Sequence, residues 1–95
     1  MVIAVSGEFG DDLVRFVYYR IEGGRTLERE SVRAAEGLDA LKRQLANLKI
    51  DLLITGRISG SLERELFEAG INLITGVTGE SDHILRSYLN GSLKF

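Results

Sequence analysis

The same four letters, Leu-Ile-Thr-Gly, stand at Leu53–Gly56 and again at Leu73–Gly76. Each closes a short apolar run, Ile50–Thr55 and Ile71–Thr75, and each precedes a segment with helical spacing. A short apolar run stopped by glycine reads as a buried strand. Buried strand, glycine turn, helix and a second buried strand together predict parallel strands joined by right-handed crossovers. A plain hairpin has no room for a helix between its strands. The second half of the chain is therefore constrained to an α/β arrangement.

The rest of the chain is read around that unit. Val2–Val5 is another short apolar run, ending at Ser6-Gly7. Leu13–Glu22 is rich in Val, Phe, Tyr and Ile, which suit a pleated surface, and Gly23-Gly24 separates it from Thr26–Arg33. Two such runs around a glycine pair predict a β-hairpin. Leu38, Leu41, Leu45 and Leu48 then recur at spacings of three and four, marking one face of a helix. The next helix starts at Ser59 or Ser61, carries an apolar stripe of Leu62, Leu66, Phe67 and Ala69, and stops at Gly70. The last begins at Glu80 or Ser81, turns Ile84, Leu85, Tyr88 and Leu89 inward, and ends at Asn90-Gly91. The expected fold is one α/β domain over residues 1–95. Its sheet is mixed and mostly parallel, with five strands, flanking helices and the β-hairpin at one side.

In open α/β sheets, ligands bind beyond the carboxyl ends of the parallel strands. If the first strand runs parallel to the other two, three turns belong at that edge: Ser6-Gly7, the segment Gly56, Arg57, Ser59 and Gly60, and the segment Gly76, Thr78 and Gly79. Backbone amides at a strand-to-helix turn and the positive end of the helix dipole favour an anion. Arg57 adds a charged donor, and Thr78 and Ser81 add hydroxyls. The same turns also read as tight connections with capped helices. No Gly-Lys-Ser/Thr follows, so neither is a phosphate-binding loop of the nucleotide-hydrolase type. Glu8, Asp11 and Asp12 form an acidic loop, and His83, the one histidine, lies near Gly79 and is expected to be exposed. An imidazole there is a candidate metal ligand.

Composition narrows the function classes. With 12 basic and 14 acidic residues the net charge is −2, which argues against a nucleic-acid partner. There is no cysteine, so disulfides and thiolate metal sites are absent. No apolar run approaches the roughly 20 residues of a membrane helix, and the start lacks the pattern of a signal peptide. The cytoplasm is the expected location. No nucleophile elbow is present, and Asp51 sits at the wrong end of its strand to join Glu8 in a nuclease-like carboxylate pair. The chain is expected to bind rather than catalyse.

The segment from Ile50 to Phe95 resembles the dinitrogenase iron–molybdenum cofactor biosynthesis family. The resemblance rests on Thr55-Gly56, Ser59-Gly60, Ala69-Gly70-Ile71 and the closing Tyr88-Leu89-Asn90-Gly91-Ser92-Leu93. It implies a ribonuclease-H-like α/β fold without nuclease activity. It further implies non-enzymatic binding or carriage of an iron–molybdenum or iron–sulfur type cluster, or of its precursor, with metallocofactor assembly proteins as partners. Many members carry His-Phe-Gly early in the chain; here Glu8-Phe9-Gly10 stands in its place. A member without cluster binding, acting as an interaction or regulatory module, is the alternative. A monomer or a homodimer is expected.

Overall fold

The computed structural model describes residues 1–6, 15–56, 58 and 60–91. Among them the order is β1 (Val2–Ser6), β2 (Arg15–Glu22), β3 (Arg25–Arg33), α1 (Leu38–Asn47), β4 (Leu52–Thr55), α2 (Gly60–Glu68), β5 (Asn72–Ile74) and α3 (Ser81–Leu89). The five strands form one sheet in the order β3-β2-β1-β4-β5. β4 and β5 run parallel, as the repeated strand–turn–helix pattern predicts; β1 is also parallel to β4, while β2 runs antiparallel to both of its neighbours. Two neighbouring pairings are thus parallel and two antiparallel, so the sheet is evenly mixed by pairing. The expected predominance of parallel pairing is not seen, because β2 pairs antiparallel with both β1 and β3 and so takes two of the four pairings.

The hairpin forms where the glycine pair allows it. Glu22 faces Arg25 across a two-residue loop in which Gly23 and Gly24 both have positive φ, 58° and 76°. That is the primed turn whose twist matches the strands, and side chains other than Gly, Asn or Asp resist it. The register slips once between Arg20 and Ile21, leaving Leu27 as the extra residue of a bulge, 52% exposed.

Strand alternation divides the core into two layers. Ala4, Phe16 and Leu53 point to one face and pack with Leu41 and Leu45 of α1 and Leu66 of α2. Ile3, Val5, Tyr19, Leu52 and Ile54 point to the other and pack with Ile84 and Leu85 of α3. β4 is buried along its whole length, the expected signature of a central parallel strand. The helical stripes are narrower than their sequence spacing predicts. Leu38 and Leu89, at the ends of α1 and α3, are partly exposed. Phe67 and Ala69, expected on the inner stripe of α2, are both exposed, Phe67 by 72%. The reason is position: α2 lies over the three-residue edge strand β5, so part of its surface looks past the end of the sheet.

α1 ends in a Schellman motif. The Ile50 amide donates to Leu45 O at 3.0 Å and the Lys49 amide to Ala46 O at 3.1 Å. The motif needs a left-handed residue, and Lys49 takes it at φ 58°, the only non-glycine with positive φ among the described residues. Lys49→Gly is expected to stabilise the domain by about 0.5–1 kcal/mol, since glycine removes the Cβ strain at some cost in chain entropy. Urea denaturation reads this directly, and a lower midpoint for the variant would contradict it.

Candidate functional site

The carboxyl ends of β1, β4 and β5 lie side by side and are stitched together by backbone. Ser6 faces Thr55 across the parallel pair. The Gly56 amide donates to Ser6 O at 3.2 Å, the Gly76 amide to Gly56 O at 2.7 Å, and the Val77 amide to Thr55 O at 3.1 Å. The strand ends expected at one rim are therefore brought together, with Gly56 linked to both neighbours. The same bonds occupy the amides of Gly56, Gly76 and Val77, which the sequence reading had left free to meet a ligand. They are consumed because backbone bonding between the segments continues two to three residues past Ile54 and Ile74, the last apolar residues of β4 and β5.

Ser6 and Thr55 are the buried polar residues of the described chain, 4% and 1% exposed, and they place two hydroxyl side chains under the rim. Above them Gly60, Gly76, Thr78, Gly79 and His83 are exposed. Gly76 adopts φ 80°, a turn that side chains disfavour, and it lets the chain reverse toward α3. Buried Val77 pins this turn into the core beside Ile84 and Leu85. α3 then starts behind Glu80 with no side-chain cap. Glu80 makes no side-chain hydrogen bond to the first amides, and Asp82 is the acid of the first turn. Gly7, Arg57 and Ser59, and the acidic residues Glu8, Asp11 and Asp12, lie outside the described residues.

The first turn of α3 is held by an arrangement with no local trace in the sequence. Tyr19 Oη donates to Asp82 Oδ1 at 2.6 Å, and Arg29 Nε donates to the same oxygen at 2.9 Å. The Arg29 guanidinium sits 5.9 Å from the Tyr19 ring centre. Burial, followed by the Asp82 carboxylate, pushes the Tyr19 hydroxyl up to about 12. The Tyr19 hydrogen bond, followed by that from Arg29, holds the Asp82 carboxyl below its usual value. Only one signal was available beforehand: an acid in the first turn of a helix suits the dipole. Its partners are 63 and 53 positions away, out of reach of any local pattern.

The rim offers hydrogen-bond donors more than metal ligands. His83 is exposed on α3, and among the described residues no three His, Asp or Glu side chains gather as a metal site would require. No helix of the described residues is long and apolar enough to cross a membrane.

No family model matches this chain, and no curated protein matches it. Among solved structures the chain is similar to the crystal structure of a protein designated PH0822, at 22% identity and a TM-score of 0.86. That alignment covers 100% of this chain and 96% of the other. A likeness at this identity shows that the two chains share a fold.

Proposed function

We propose that this domain is a non-enzymatic carrier of a small anionic ligand seated on the rim of β1, β4 and β5. The ligand class is the one the resemblance implies, an iron–molybdenum or iron–sulfur type cluster or its precursor, handed between assembly proteins in the cytoplasm. Membership of that cofactor-biosynthesis family and a ribonuclease-H-like description of the sheet belong to the same proposal. The strand order β3-β2-β1-β4-β5, with β2 running against the others, supports the latter.

One observation supports the reading above the rest. Three adjacent strand ends deliver Ser6, Thr55 and the Gly76–Gly79 turn to one edge, where α3 presents an N-terminus without a side-chain cap. Thr78 and the Gly79 turn contribute donors from the exposed side, and His83 stands within the same first turn of α3 as a possible iron ligand. Charge-assisted hydrogen bonds of this kind contribute about 1.5–3 kcal/mol each.

The second reading, an interaction module that binds no cluster, is favoured by a different observation. Three rim amides are already bonded within the protein, and no metal-ligand group assembles among the described residues. Anaerobic incubation with an iron–sulfur cluster donor, followed by desalting, iron analysis and visible absorption, separates the two. The carrier reading expects retained iron with charge-transfer absorption, reduced in His83→Ala and unchanged in Arg43→Gln on α1. A desalted protein with no iron and a featureless spectrum leaves the interaction module.

A further inference from the structure

The edge of the sheet at β5 carries a surface that is complementary to itself. A groove of about 430 Å³ runs between α2 and β5, lined by Gly60, Glu63, Arg64, Phe67, Asn72 and Leu73. The four helix residues are spaced i, i+3, i+4 and i+7, so they form one stripe along α2. Read along the helix, the stripe is small, acidic, basic and large. Phe67 is 72% exposed, and neither Glu63 nor Arg64 makes an ion pair with another described residue. A large exposed aromatic thus lies on one stripe with two opposite charges that have no ion-pair partner among the described residues.

From these features we infer that a second copy of this chain pairs here, β5 against β5, about a two-fold axis. The backbone permits one register in particular. The Asn72 amide points inward, donating to Asp51 O at 3.1 Å. Strand alternation then turns the N–H and C=O of Leu73 outward. An antiparallel pair centred on Leu73 exchanges both of those bonds with Leu73 of the second copy, the hydrogen-bonded pairing of an antiparallel ladder. Leu73 also packs toward the α2 side of the sheet, so the same axis brings the two α2 helices together on one face. An antiparallel α2 pair centred between Glu63 and Arg64 sets Glu63 against Arg64 of the copy. It sets Phe67 against Gly60 of the copy, large against small. A C2 contact requires this kind of self-complementarity.

The opposite edge is heavily charged, which disfavours the pairing centred on Arg29. β3 carries Arg25, Glu28, Arg29, Glu30 and Arg33. A two-fold about Arg29 faces Arg29 with itself and Glu28 with Glu30, like charges opposite like. The inferred contact at β5 does not depend on what the rim binds.

Sedimentation velocity over a wide concentration range, on the ligand-free full chain, tests the inference. The expected result is a concentration-dependent dimer. Arg64→Glu is expected to weaken it by about tenfold or more, because it sets acid against acid on both sides of the axis. The double swap Glu63→Arg with Arg64→Glu restores the complementarity and is expected to recover affinity to within about threefold of the parent. Phe67→Ser, at an exposed position, gives an independent loss of dimer in a domain whose folding circular dichroism can verify. A protein that stays monomeric at every concentration overturns the inference. A dimer indifferent to Arg64→Glu and Phe67→Ser overturns it as well, because association then uses another surface or another partner chemistry.

Discussion

Leu53→Ala is expected to destabilise the domain by about 3 kcal/mol, within the range for emptying a rigid, fully buried aliphatic site. Leu53 is 0% exposed and sits on β4, the only strand among the described residues that is buried along its whole length. Its side chain enters the layer shared by Phe16, Leu41, Leu45 and Leu66. Those neighbours come from β2, α1 and α2, so the space left by the removed atoms is walled by three elements that cannot all move inward. Phe67→Ala, which truncates a larger side chain, is expected to change monomer stability by less than about 0.5 kcal/mol because the ring already faces solvent. Urea denaturation of both variants, at a concentration where the protein is monomeric, checks the contrast. A loss below about 1 kcal/mol at Leu53 would mean that β4 is not the centre of the core.

The second large effect is expected at Asp82. Asp82→Ala removes the acceptor of a buried hydroxyl, and an unsatisfied buried donor costs about 1–3 kcal/mol. The partly exposed ion pair with Arg29 adds little, because solvent screens it. The expected total is about 2 kcal/mol, together with a change in pH dependence whose sign follows from the two shifts. The Asp82 carboxyl is held down in the folded state, so its contribution is present above the unfolded value near 3.8 and is lost as pH falls through the folded value. The Tyr19 hydroxyl is held up, so its contribution is complete below the ordinary tyrosine value of about 10 and is lost as pH rises toward about 12. In Asp82→Ala the acid-side loss shrinks. On the alkaline side Tyr19 titrates lower than in the parent but still above ordinary tyrosine, because burial, the first cause of its shift, remains. Phenolate absorbance of the parent and the variant, each compared with its Tyr19→Phe counterpart to remove the other two tyrosines, follows the second change. An unchanged Tyr19 titration in the variant would show that the 2.6 Å hydrogen bond does not form in solution.

These two sites differ in how far they could be read in advance. Leu53 lies in an apolar run whose length and glycine stop mark it as a buried strand, so its place in the core follows from local pattern. Asp82 is one of 14 acidic residues in the chain, and nothing near it tells it apart. The rim is intermediate. The repeated Thr-Gly at the ends of β4 and β5 placed both turns at the carboxyl edge, and parallel pairing with β1 brought Ser6 to the same line. The use of the Gly56, Gly76 and Val77 amides within the sheet was not legible, because it depends on how far the ladder runs past the apolar residues. Phe67 was misplaced for a similar reason. Helical spacing tells which residues share a face, but not whether the sheet extends far enough beneath that face to cover it.

The parallel placement of β1 came from the fold, whereas local sequence pattern set the order of elements, the hairpin at Gly23-Gly24, the parallel run of β4 and β5, and most of the buried set. These follow from periodicity and from the backbone preferences of glycine, which act over a few residues. Tertiary structure alone decided that β5 is an open edge beside an exposed Phe67, and that Tyr19 and Arg29 meet Asp82. It also decided that the rim amides are partly spent on the sheet. Each of these depends on which distant segments lie side by side, and contact energies between distant segments leave no mark on local spacing.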